Sequence, residues 1–441
     1  MAPKSLYLQS EKKIIMLHDF LFNRSKAKDK SNFYWNAIAG LLNAAKAVIL
    51  LAIVTRLCGI EEAGYLSIAF AVGNLFIAIG KYGVRTFQVT QNTDELSISA
   101  YRNARILSTM LMAVACCIYI LCGILFNQYS WYKVCIVSAM CVIYLEESME
   151  DVYWGDLQRR GNLAAGAKVF ILRWGVILIV VLTGLFCGLD LLIALWIAVG
   201  LSTTVYILCV RTINIECHNN IKLSKDWKKA KFILKQCTPL ALAIFFQYYL
   251  SNAPKYTIDS LMSDDMQAIY GYLSMPVFVV QLFSEFIYQP MLADMAIEWN
   301  EGRFDKFGKY ICRQCLVIAG LIFAVAIGAD ILGVKILSMI YGVDLADYRV
   351  TLVILMTGGG FLAANTFFRN VLTIMDKRNK ILWSYGISAL VMLAVLNGMI
   401  EKRGIFGAAL AYLLIMLILG IYFGTSIGKV LRQRRRMDVN R

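Results

Sequence analysis

Four apolar stretches of the chain carry polar side chains at helical spacing. The first holds Asn36, Gly40, Asn43 and Lys46, and the second holds Ser67, Asn74, Lys81 and Gln88 with Arg85 one turn beyond Lys81. The third holds Gln247, Ser251, Lys255 and Asp259, and the fourth Ser274, Gln281, Glu285 and Tyr288. Each set falls on one face of a helix. A charge near the centre of a bilayer costs roughly 2.5–3.5 kcal/mol, so such a face must meet protein, water or a ligand. Apart from Glu285 and Asp259, the charges here are cationic. Low-dielectric walls focus that positive field, and its natural guest is an anion such as a phosphate or pyrophosphate. The amides Asn36, Asn43, Asn74, Gln247 and Gln281 add neutral hydrogen-bonding capacity on the same faces. Glu285 is the candidate titrating group for ion coupling.

Competing readings exist for several of these residues. Lys81 and Arg85 lie near the end of their stretch, where snorkelling to head groups competes with lining a cavity. Pairing with Asp259 competes for Lys255. Lys46 sits close to mid-span and is expected to line the cavity. Arg369, one turn after Asn365, reads as an anchor, and Arg56 as an interfacial residue. Arg173 reads as a partner in an ion pair. Glu146, Glu147, Glu150 and Asp151 are expected to pair with nearby basic residues rather than carry protons.

The elements that must position these residues are membrane helices. Of the 441 residues, 59% are hydrophobic and 17% charged. The mean hydropathy is +0.63. Apolar runs recur at 33–57, 64–87, 104–126, 131–151, 163–186, 189–210, 237–258, 267–292, 310–333, 350–372, 381–400 and 405–428. Their length suits helices and exceeds that of barrel strands. With residues 1–32 placed in the cytoplasm, most Lys and Arg fall in inside segments and the short outside loops hold few. The expected fold is all-α and polytopic, with twelve transmembrane helices and both termini cytoplasmic.

An internal repeat divides the twelve. Gly64-Tyr65-Leu66-Ser67 opens the second span, and Gly271-Tyr272-Leu273-Ser274 opens the eighth. An even number of spans separates the copies, so the halves run parallel, related by an axis along the membrane normal. The organisation read from this is a basic segment 1–32, an N-lobe 33–210, a basic linker 211–236, a C-lobe 237–428 and a basic tail 429–441. The two lobes are expected to enclose a central, water-accessible cavity.

Other function classes are excluded. The net charge of +15 comes from cytoplasmic loops, so no nucleic-acid partner is implied. Cys312 and Cys315 form a CxxC without a second pair or nearby histidine, so no metal is expected. Most other cysteines lie inside apolar runs and act as small apolar residues. No Walker A sequence or catalytic constellation is present, His18 and His218 lie outside the spans, and no cofactor is implied. No run resembles a cleavable signal.

At this level the chain resembles the bacterial oligosaccharide flippases, the O-antigen-unit (Wzx-type) branch of the multidrug/oligosaccharidyl-lipid/polysaccharide exporter superfamily. The residues that carry the resemblance are Phe33-Tyr34-Trp35-Asn36, the Arg56 to Gly64-Tyr65 join, Tyr82-Gly83, Leu157-Gln158-Arg159 and Asn252-Ala253-Pro254-Lys255-Tyr256. The resemblance implies a V-shaped, two-lobed transporter that alternates between inward- and outward-facing states in the bacterial inner membrane. It implies a substrate of short oligosaccharide on undecaprenyl pyrophosphate, as in lipopolysaccharide or other polysaccharide biosynthesis, moved with an ion or proton gradient. Lys46, Lys81, Arg85 and Lys255 would meet the pyrophosphate, and the amides the sugar hydroxyls. A polysaccharide polymerase and a chain-length regulator would be partners, and membrane lipids the surroundings. The competing functions are a multidrug antiporter of the same superfamily, which would want buried acids, and a membrane polymerase of the same pathway, which would want a long periplasmic loop.

Overall fold

The computed structural model describes residues 16–22, 28–90, 96–218, 226–289 and 291–439. Helices account for nearly all of them, and no strand occurs among the described residues. The helices are α1 (Lys28–Leu57), α2 (Ile60–Lys81), α3 (Val84–Thr90), α4 (Ile98–Phe126), α5 (Trp131–Arg159), α6 (Leu163–Phe186), α7 (Leu191–His218) and α8 (Trp227–Leu261). They continue with α9 (Asp264–Ser274), α10 (Val277–Tyr288), α11 (Met291–Asn300), α12 (Phe304–Gly328), α13 (Val334–Tyr341), α14 (Arg349–Ile374) and α15 (Arg378–Val439).

Eight helical segments among the described residues are long and apolar enough to cross a membrane. The last, Arg378–Arg434, runs for 57 residues. It is broken at Gly404 (φ 57°, ψ −139°) and holds two crossings. The three remaining expected spans have physical reasons for lower apolarity. α5 carries the carboxylates, α8 carries the polar set from Gln247 to Asp259, and Pro276 divides the eighth span into α9 and α10. Proline removes a backbone donor and clashes with the preceding turn. The chain is therefore a multi-pass, all-helical membrane protein.

A second break corrects the sequence reading. The expected span 64–87 ends early, because Tyr82 (φ 47°) and Gly83 (φ 68°) take left-handed conformations between α2 and α3. Lys81 and Arg85 therefore stand on different helices. Gln88 is buried and donates to the Val152 carbonyl at 3.4 Å. The linker expected at 211–236 also contracts, since α7 continues to His218 and α8 begins at Trp227.

Packing divides the chain into two compact units. The first comprises Met1–Ile53 and Val72–Ala241, and the second Val54–Ala71 and Leu242–Arg441. At the centre of the first unit lies α5, packed against α3, α4, α6 and α7. Ser130 caps it, its Oγ accepting from the Lys133 amide at 3.2 Å. In the second unit α14 holds the central place, packed against α10, α12 and α15. Gly358-Gly359-Gly360 makes this possible. A Cβ on Gly358 would lie 2.7 Å from the Tyr412 ring, on Gly359 3.0 Å from Val277, and on Gly360 2.2 Å from Ile322. Three neighbouring helices thus close on α14 where side chains are missing. The repeated tetrapeptide has a similar use. A Cβ on Gly64 would meet the Asp264 carbonyl oxygen at 2.1 Å, and one on Gly271 the Ser67 Oγ at 2.4 Å. The two copies cross each other within the second unit.

The helical stretch 16–22 is docked on the first unit. Leu21 is buried in its core. Lys168 Nζ donates to the Phe20 carbonyl at 2.6 Å, and His18 Nε2 lies 3.0 Å from Glu216 Oε2. The hydrogen bond to Glu216 raises the His18 pKa above its ordinary value; partial burial opposes this, and Asp19 adds to the rise. A raised pKa in the docked state means that docking is favoured while His18 is protonated. That contribution is complete below the ordinary value of 6.5 and disappears as pH climbs through the raised value. Hydrogen exchange across residues 16–22, corrected for intrinsic rates, is expected to be slower at pH 6 than at pH 8. His18→Gln is expected to remove the difference.

Candidate functional site

The carboxylates Glu146, Glu147, Glu150 and Asp151 stand on α5. On a helix, residues four apart share a face. Glu147 and Asp151 therefore point one way, and Glu146 and Glu150 another. Glu147 is met by Lys46 of α1, whose Nζ is 3.3 Å from Oε2, and by Lys81 of α2, whose Nζ is 2.9 Å from Oε1. Trp174 Nε1 donates to the same carboxylate at 3.3 Å. Asp151 takes the Arg105 guanidinium at 2.7 Å and faces Arg85 at 3.6 Å. On the other face Arg173 forks between Glu150 at 2.9 Å and Glu146 at 3.3 Å. Ser202 donates to Glu146 at 2.6 Å, as does Thr203.

This cluster brings together Lys46, Lys81 and Arg85, but not as three open cations. Lys46 was expected to line a cavity; instead it is enclosed. Its side chain is 6% exposed, with Nζ 3.9 Å from the Trp174 ring centroid and 5.3 Å from those of Tyr144 and Phe170. The physical reason is that an ammonium near mid-span needs a counter-charge and a polarisable wall, and α5 and α6 supply both. Lys81 and Arg85 remain partly open, at 37% and 28%. Arg85 is steadied by Gln158, whose Oε1 accepts from Nη2 at 2.7 Å and from Nε at 3.1 Å. Asn74 joins the cluster by accepting from the Tyr144 hydroxyl at 3.1 Å. Asn36 donates back to the Asn32 carbonyl at 2.7 Å, while Asn43 is exposed.

The second unit holds the remaining candidates. Lys255 is 3% exposed, and no hydrogen bond or ion pair joins it to any described residue, Asp259 included. It lines a small cavity with Ser251, Asn252, Tyr270, Ser274 and Tyr412. Gln247 accepts from Arg369, a half-buried cation of α14 that also hydrogen-bonds Tyr385. Arg369, an anchor by its place in the sequence, meets a partner 122 residues away. Gln281 is half-buried on α10. The side chain of Glu285 lies outside the described residues. Arg56 donates to the Ile340 carbonyl at 2.9 Å and to that of Met339, closing the end of α13. No group of three or more His, Cys, Asp or Glu among the described residues is placed to hold a metal ion.

Comparison with solved structures places this arrangement. A multidrug resistance MATE family transporter of the MOP superfamily superposes with a TM-score of 0.67 at 12% identity, covering 89% of this chain and 95% of its own. The lipid II flippase MurJ superposes with a TM-score of 0.68 at 12% identity, covering 90% and 89%. The chain has the fold of MATE transporters and MurJ. These neighbours are transporters and a flippase, not enzymes. A curated relative, the capsular polysaccharide biosynthesis protein CapF of Staphylococcus aureus, is 23% identical over 395 residues, 86% of this chain and 94% of the relative. No family model matches.

With this fold, the cluster on α5 is a set of buried ions whose removal one at a time strands a partner. Arg173→Met leaves Glu146 and Glu150 without their cation and is expected to cost about 3–5 kcal/mol in stability. Arg173→Lys keeps the charge but cannot fork, so its loss is expected to be intermediate. Unfolding midpoints in detergent read both.

Proposed function

We propose that the protein is a flippase that carries an undecaprenyl-pyrophosphate-linked oligosaccharide, the repeat unit of O-antigen or a related polysaccharide, across the bacterial inner membrane. The observation that carries the reading is the state of Lys81 and Arg85. Both are partly open cations on membrane helices, and both are held in place by α5. A pyrophosphate offers oxygens that a guanidinium takes in pairs and an ammonium takes as a point charge. Because each cation already has a carboxylate partner, the anion gains a contact that exchanges with an internal one. That suits a substrate that must be released. Lys46 acts behind them, neutralising Glu147 and setting its position. In the second unit Arg369, held by Gln247, is a further open cation suited to the same anion.

The amides Asn36, Asn43, Asn74, Gln247 and Gln281 suit sugar hydroxyls, with Asn43 the most exposed of them. Two similar proteins support the substrate class: one is a lipid II flippase and the other a capsular polysaccharide biosynthesis protein. In this reading the lobes 33–210 and 237–428 alternate access, and both termini, the 211–236 segment and the 429–441 tail are cytoplasmic. Glu285 stands as the ion-coupling group, and a polymerase and a chain-length regulator as pathway partners.

The likeness to a MATE transporter is equally strong and favours drug export as the second reading. Reconstitution into liposomes separates the two. Protein-dependent transfer of a labelled undecaprenyl-pyrophosphate oligosaccharide between leaflets is expected, without efflux of cationic dyes. Lys81→Ala and Arg85→Ala are each expected to slow transfer roughly tenfold or more, from about 1.5–3 kcal/mol per charged hydrogen bond. Dye efflux without lipid transfer would replace this reading with the second.

A further inference from the structure

The cavity beside Lys255 is unlike the charge cluster of the first unit. It has about 10 Å³ of open space, room for one water-sized occupant and too little for a pyrophosphate. Three polar groups in its wall have no hydrogen-bond partner among the described residues: the Lys255 ammonium and the hydroxyls of Tyr270 and Tyr412. Their residues are 3%, 2% and 3% exposed. Two further wall residues have already given their hydroxyl protons away, Ser251 to the Gln247 carbonyl at 3.0 Å and Ser274 to the Gly271 carbonyl at 2.9 Å. Asn252 likewise donates to the Tyr248 carbonyl at 3.1 Å. Apart from the second amide N–H of Asn252, the free protons at this cavity therefore belong to one ammonium and two phenols.

A buried ammonium without a counter-ion is unfavourable by several kcal/mol, and the other unit gives the buried Lys46, Arg105 and Arg173 carboxylate partners. Asp259, one turn from Lys255, does not serve here. A water molecule accepts hydrogen bonds but leaves the charge unbalanced. An occupant that accepts from all three donors and carries one negative charge balances the site. The small space favours a single atom.

We propose that this cavity is a binding site for one monatomic anion, a halide such as chloride, held by the Lys255 ammonium and the hydroxyls of Tyr270 and Tyr412. The anion ties α8, α9 and α15 together within the second unit. Tyr412 is fixed for the purpose, since its ring lies over Gly358 of α14. The site is independent of what the protein transports.

The test uses the purified full-length protein in detergent at constant ionic strength. Sodium chloride or bromide is compared with sodium gluconate, whose anion is too large to enter. Halide is expected to raise the thermal midpoint in a saturable, concentration-dependent way, as any ligand of the folded state does. Lys255→Met is expected to abolish the response, and Tyr412→Phe to weaken apparent halide affinity several-fold. Equilibrium binding of radioactive chloride to the unmodified protein, expected at about one ion per chain, reads the site without a variant. It keeps the proposal decidable if Lys255→Met does not fold. A wild-type midpoint indifferent to halide, no bound chloride, or an unchanged halide response in Lys255→Met would each overturn it.

Discussion

The ion pairs at Glu147 set the constraint on which the first unit depends. Two lysines from α1 and α2 end on one carboxylate of α5, and the indole of α6 completes the set. Lys46 cannot lie unpaired inside a membrane helix, so α1 must keep its face toward α5. Lys81 closes the last turn of α2 on the same atom pair. Asp151 extends the arrangement by one turn to Arg105 and Arg85, and Glu146 and Glu150 extend it sideways to Arg173 and α7. In lipid the hydrophobic effect does not drive helices together, and packing and polar contacts decide which faces meet. The rotation of every helix around α5 is thereby tied to the placement of charge. Among the described residues the cluster has five cations, Lys46, Lys81, Arg85, Arg105 and Arg173, against the four carboxylates. That leaves a positive excess on its open side.

The two units answer the same electrostatic problem differently. In the first, the buried Lys46, Arg105 and Arg173 meet carboxylates, and Lys81 and Arg85 stand half-open with their geometry fixed. In the second, Lys255 and Arg369 have no carboxylate partner among the described residues, only amides, hydroxyls or an enclosed space. A fully paired cation attracts a passing anion weakly and lets it go, whereas an unpaired enclosed one retains a small ion. The proposed division of roles, exchangeable contacts for a large anionic head group in one unit and a resident halide in the other, follows from that difference.

The fold was legible because its signal is local. Apolar runs long enough to cross a bilayer, the basic loops and the repeated tetrapeptide each sit within a few residues. Pro276 and Tyr82-Gly83 were equally visible, but their effect of cutting a span in two was not, since apolar windows read through a kink. The site was legible only in part. Helical spacing placed Lys46, Lys81 and Lys255 on defined faces without saying what each face meets. Lys46 and Glu147 are 101 residues apart, Lys81 and Glu147 are 66, and Arg369 and Gln247 are 122. The spacing of the four acids on α5 was the available clue. Carboxylates at i and i+4 on two adjacent faces, in the same membrane layer as Arg173, foretold ion pairs, and those pairs account for the enclosure of Lys46.

The arrangement around α5 requires Lys46 and Glu147 to be partners rather than two separate polar groups. A double-mutant cycle measures this directly, with unfolding free energies in detergent for Lys46→Met, Glu147→Gln and the pair together. Glu147→Gln strands the enclosed Lys46 ammonium, whereas Lys46→Met leaves Glu147 its contact with Lys81, and the double change removes the stranded ammonium. The double variant is expected to recover part of the stability lost in the Glu147→Gln variant, giving a coupling energy above about 1 kcal/mol. Strict additivity of the two losses would contradict the account.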